Sequence, residues 1–193
     1  ASLRVDGELP TGCACSGSTM WQRYNEAIAE YWSGEMNLGP VTFDHRMAVE
    51  ISLRKRAFIE EQHTVPLMVA DVADLASARV ANTLSETSTH VEWVSLFGGG
   101  FNCKSPSRQN NSRASHRQTT RKGEGSTGEA FAGIRADLIT QTRPFLSILE
   151  DVPELASTYE LADATTASET MHIKETLEAE GFAVLMTIFD AAK

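Results

Sequence analysis

Apolar positions recur at helical spacing from about Thr19 to Trp32, where Met20, Tyr24, Ala27, Ile28 and Tyr31 fall on one face. The pattern then shortens. Thr42 to Ile51 reads as a strand, Leu53 to Gln62 as a helix and Pro66 to Ala70 as a short buried strand. Asp74 is placed to cap a helix running through Ala81, and Val91 to Phe97 reads as a strand that Gly98-Gly99-Gly100 ends sharply. Further on, the pattern predicts a helix from about Gly128 to Thr142 and a buried strand from Pro144 to Val152. A helix from Ser168 to Glu180 and a final strand from Phe182 to Asp190 complete it. Short apolar runs alternating with helical segments predict βα units, and so an α/β fold with a mostly parallel sheet and helices on both faces.

One stretch breaks the alternation. From Lys104 to Ser126 the chain is rich in Ser, Asn, Gln, Thr and Arg with almost no apolar residue, which predicts a long loop. Lys104, Arg108, Arg113, Arg117, Arg121 and Lys122 lie in it, with His116 among them and no acid between Lys104 and Lys122. The whole chain carries a formal charge of -9, which argues against a surface that grips nucleic acid everywhere and leaves this basic segment as a local anion-binding candidate. With 193 residues, 41% of them hydrophobic, one domain spanning 1–193 is expected. No apolar run is long enough to span a membrane, and Ala1 to Pro10 lacks the apolar core of a signal peptide. The chain begins without Met, as a processed or trimmed fragment does. Its three cysteines, with two in Cys13-Ala14-Cys15, form neither a disulfide framework nor a zinc knuckle. Reduced thiols in an intracellular compartment, without a metal, are expected.

The candidate chemistry sits at two strand ends. Cys103 lies in Gly98-Gly99-Gly100-Phe101-Asn102-Cys103-Lys104-Ser105-Pro106-Ser107, on the loop after one buried strand, and Glu150 ends the next, before Asp151-Val152. A thiolate attacks electron-poor carbon, and a neighbouring carboxyl group can hold or protonate the ring under attack. Upstream, Thr11-Gly12-Cys13-Ala14-Cys15-Ser16-Gly17-Ser18 is a small-residue turn, Glu50 stands in Val49-Glu50-Ile51, and Asp71 follows Ala70.

Taken in order, these segments resemble the catalytic domain of DNA cytosine-5 methyltransferases, and the resemblance covers most of the chain. Arg143-Pro144 through Glu150-Asp151-Val152 is similar to the family's Arg-Pro strand ending in Glu-Asn-Val, and Gly181-Phe182-Ala183-Val184 with Asp190-Ala191-Ala192 to its next strand. The resemblance implies a Rossmann-like fold that binds S-adenosyl-L-methionine. In it Gly12, Ser16 and Gly17 would approach the methionine part, Glu50 would bind the ribose hydroxyls and Asp71 the adenine amino group. Cys103 would add to carbon 6 of a flipped cytosine, and Glu150 would hold that ring at nitrogen 3 and its amino edge. Ser107, Arg108, Arg113 and Arg117 would contact DNA, and the compartment would be nuclear.

Against the family pattern, Asn102 stands for Pro, Lys104 for Gln and Asp151 for Asn. The chain also ends where the family continues with a target-recognition region and a last helix, so the isolated chain is expected to be a poor enzyme. Two functions follow from the sequence. One is the cofactor and nucleophile part of a DNA cytosine-5 methyltransferase; the other is a catalytically inactive methyltransferase-like subunit with a structural or protein-interaction role in a larger assembly.

Overall fold

In a computed structural model, residues 7–14, 20–34, 41–100, 119–161 and 163–188 are described. Five strands form one sheet: β1 (Gly7–Ala14), β2 (Val41–Val49), β3 (Leu67–Val69), β6 (Leu96–Gly100) and β7 (Leu146–Glu150). They lie in the order β3-β2-β1-β6-β7, and every neighbouring pair is parallel. Helices α1 (Met20–Gly34) and α2 (Leu53–Gln62) make the first two crossovers, while α4 (Gly125–Thr140) lies between β6 and β7 in the chain. The chain therefore builds outwards from β1 in one direction, then returns to build outwards from it in the other. The order reverses between β1 and β6.

Each face of the sheet has its own cover. Cys13, Ala48 and Met68 pack with Ile59 of α2 and Trp21 of α1. On the other face Met47, Val49 and Phe97 pack with Phe131, Ile134 and Leu138 of α4 and with Ile173 and Leu177 of α5 (Glu169–Ala179). This is the expected α/β architecture. Two small antiparallel pairs lie outside the main sheet: β4 (Arg79–Asn82) with β5 (Thr87–His90), and β8 (Tyr159–Glu160) with β9 (Thr166–Ala167). Among the described residues no helix is long and apolar enough to cross a membrane.

Several elements differ from the sequence expectation. The small-residue segment at Thr11 is no turn there: Thr11 to Ala14 form the end of the central strand β1, all buried. Pro10 cannot donate a ladder hydrogen bond, but its carbonyl accepts one from Ser95 N at 2.7 Å, and the β1/β2 register shifts one residue later. Asp74 caps no helix. Asp71 caps a short 3-10 turn, Val72–Ala76, and the chain then enters β4. The strand expected to stop at Phe97 instead runs from Leu96 through the glycines to Gly100. A Cβ at Gly98 would sit 2.3 Å from the Trp21 ring, so the glycine is there to admit the indole. Part of the expected polar loop is helical, as α3 (Thr119–Lys122), and α4 begins at Gly125. Phe182 to Ile188 has no strand partner among the described residues; Phe182 and Val184 pack on the core while Leu185 is 92% exposed.

Gly133 marks another close approach. A Cβ there would stand 2.3 Å from the carbonyl oxygen and 2.8 Å from the carbonyl carbon of Val72, backbone that cannot rotate away. Alanine favours a helix over glycine by about 1 kcal/mol, but overpacking costs about 1–3 kcal/mol. Gly133→Ala is therefore expected to lower the urea midpoint, whereas a gain in stability would show that α4 can lift off the turn.

Candidate functional site

The carboxyl ends of the five strands form a row with an acid at three of them. Val49 pairs with Val69, so Glu50 and Ala70 stand level, and Glu50 N donates to Val69 O at 3.0 Å. Asp71 is one residue further. On the far side of the sheet Gly100 pairs with Glu150, and a Cβ at Gly100 would lie 3.1 Å from Glu150 Oε2. The missing side chain lets this carboxylate fold over the end of β6. Between the two acidic positions lie the ends of β1 and β6, where the strand order reverses and an open parallel sheet leaves a crevice.

The two acids on the β2/β3 side are both engaged by nearby backbone. Glu50 is 5% exposed, and its Oε1 accepts a 2.9 Å bond from Ser52 N, the residue that precedes α2. Arg56 Nη1 donates to the carbonyl of Glu50 at 3.0 Å, which fastens α2 to the end of β2. Asp71 is exposed, and its Oδ1 accepts from Ala73 N at 2.9 Å. Asp71 therefore caps the turn that follows it and faces solvent at the edge, while Glu50 braces the residue before α2.

Asp151, which follows Glu150, has a strongly perturbed carboxyl. Burial pushes its carboxyl up to about 7, the Val152 N–H bond to Oδ1 pulls it down, and the charge of Glu150 adds to the rise. Its Oδ2 is buried without a hydrogen-bond partner among the described residues. The carboxyl group is thus poised to change charge near neutrality.

The remaining predicted positions fall elsewhere. Gly12 lies within β1, two residues before its end, packed near Met47 and Val94 rather than in a turn. Ser16, Gly17, Cys103, Ser107, Arg108, Arg113 and Arg117 lie outside the described residues. Gly100, three residues before Cys103, ends β6 beside Glu150. Near the end of the basic segment the chain is tied down by Glu169, which is 5% exposed and accepts from Thr120 N at 2.8 Å, from the Thr120 hydroxyl, and from Tyr159 Oη at 2.9 Å. The sequence did not single out Glu169, because its partners are ten and 49 residues away. It also gave no signal for His45, whose ring lies between Thr11 Oγ1 at 3.2 Å and Cys13 Sγ at 3.6 Å. No family model and no curated protein matches the chain.

The Asp151 carboxyl makes stability depend on pH with a definite sign. With its value raised from 3.8 to about 7, the folded chain keeps a proton that the unfolded chain has lost, so this contribution falls as pH rises through that window. His45 acts in the opposite sense, since burial lowers it to about 4 and folding then disfavours its protonation below about 6.5. Comparing Asp151→Asn with the parent isolates the carboxyl. The variant's gain in urea midpoint should grow between about pH 4 and about pH 7, and a constant difference would mean that Asp151 is ionised throughout.

Proposed function

We propose that the chain is a DNA cytosine-5 methyltransferase-like protein with a Rossmann-like, S-adenosyl-L-methionine-binding fold, working at the carboxyl edge of its sheet. The observation that carries this reading is the reversal of strand order between β1 and β6, flanked by Glu50 and Asp71 on one side and Glu150 on the other. The donor set suits the cofactor: ribose hydroxyls and the adenine amino group are hydrogen-bond donors, and carboxylates only accept. When bound, the cofactor supplies an electrophilic methyl group.

The work left to the chain is to activate the cytosine ring. The thiolate of Cys103, three residues beyond the end of β6, forms a bond to carbon 6 and makes carbon 5 nucleophilic. Glu150 holds the ring at nitrogen 3 and its amino group, which favours the electron-rich enamine. After methyl transfer, loss of the proton from carbon 5 and of the thiolate from carbon 6 restores the aromatic ring. Ser107, Arg108, Arg113 and Arg117 would bind the DNA backbone around the flipped base.

One observation favours the second reading, an inactive methyltransferase-like subunit of a larger assembly. Glu50 is nearly inaccessible and already bonded to Ser52 N, so ribose binding must compete with that bond. Calorimetry separates cofactor recognition from mere ancestry. S-adenosylmethionine is expected to bind, and Glu50→Ala to weaken it by about 1–3 kcal/mol, the scale of hydrogen bonds to charged groups. No heat at millimolar cofactor would remove the basis of the proposal. A covalent adduct with a 5-fluorocytosine duplex, lost in Cys103→Ser, would mark the enzyme; cofactor binding without an adduct would mark the subunit.

A further inference from the structure

A cavity of about 390 Å³ lies away from the carboxyl edge, between α1 and the first half of β2. Asn25, Glu26 and Glu30 of α1 face Val41 to Phe43 and His45 of β2, with Thr11 of β1 and His63 closing it. Asn25 is 2% exposed, and neither Oδ1 nor Nδ2 has a hydrogen-bond partner among the described residues. The same is true of His63 Nε2. Buried polar atoms are nearly always paired, so two unpaired groups on one cavity wall point to a partner that enters the cavity.

The lining also restricts the chemistry of that partner. An amide presents a donor and an acceptor side by side, which matches a second amide, an amidine or an amino-heterocycle. Glu26 and Glu30 bring negative charge, and among the described residues no Lys or Arg lines the cavity. Burial holds both His45 and His63 below their ordinary values, so neither supplies a positive charge at neutral pH. Phe43 gives a flat apolar wall. His45 is already engaged by Thr11 and Cys13, which fixes its ring as part of the wall.

We propose that this cavity binds a small planar molecule bearing an amide, amidine or amino-heterocycle, neutral or cationic, with Asn25 pairing to its donor-acceptor edge and Glu26 and Glu30 favouring a positive end. It is a separate site from the carboxyl edge and does not rest on the methyltransferase reading.

Three probes of one shape test it: benzamide, benzamidine and benzoate, titrated into the full chain and followed by the side-chain amide resonances of Asn25 and the ring resonances of His63. Benzamide and benzamidine are expected to shift both, and benzoate neither. Asn25→Leu should weaken the two binders by at least about tenfold. Should that variant not fold, Glu30→Gln provides the second reading, weakening benzamidine while leaving benzamide unchanged. The proposal is overturned by an absence of shifts at millimolar probe, which would make the cavity merely hydrated. Equal binding of benzoate, binding unaltered in a folded Asn25→Leu, or a Glu30→Gln variant that treats the two binders alike would overturn it equally.

Discussion

The parallel pairing of β1 with β6 carries the rest of the molecule. Thr11 to Ala14 lie against Leu96 to Gly99, and this short contact joins the half of the sheet built outwards through β2 and β3 to the half built through β7. Thr11 to Ala14 and Leu96 to Gly98 are buried, so side chains there must be small or fitted to one partner. Gly98 is fitted to the Trp21 indole, which would collide with any Cβ at that position. Through this contact α1, which crosses over from β1 to β2, also grips the strand on the other side of the reversal. A side chain at Gly98 would therefore disturb the junction as well as one packing contact.

The same junction explains why the polar groups nearby are arranged as they are. A central strand cannot expose a polar side chain to water, so Thr11 and Cys13 turn towards His45, which bonds across from β2 and stays neutral. Acids collect at the strand ends, where the sheet meets solvent or a helix begins. Glu50 and Asp71 accept from the backbone N–H groups that the following turns leave free. Asp151 has one such bond and a buried second oxygen, and burial raises its value further than that bond lowers it.

The sequence was most legible where one period dominated. Helix α2 has its predicted bounds, Leu53 to Gln62, and Ser168 caps α5 where the helical pattern began. Strands β2, β3 and β7 lie within or close to their predicted runs, but of the three only β3 is buried throughout; β7, expected to be buried, is an edge strand that alternates exposed and half-buried positions. β1 was not legible, since Pro10, Gly12 and Ala14 carry none of the β-branched signal and Gly12 reads as a turn. β6 was displaced for a related reason. Its glycines look like chain breaks until Trp21 is set above them. Acids after strands were readable from sequence alone as candidate site residues, whereas Asn25, His45 and His63 were not, because only the crossing of α1 over β2 brings them together.

Strand β2 serves both regions, with His45 on the cavity and Glu50 following its carboxyl end. Five residues of strand separate them by roughly 16 Å at the usual rise, too far for one small ligand to touch both. Direct contact therefore does not link the two. A second element they share is α1, which presents Asn25 to the cavity and Trp21 to Gly98 beside the strand reversal. A displacement of α1 that opened or closed the cavity would have to move the indole across a glycine that leaves it no spare room. Packing at Gly98 thus sets how far the cavity can open without disturbing the crevice, and this steric limit, more than any charge, relates the two regions.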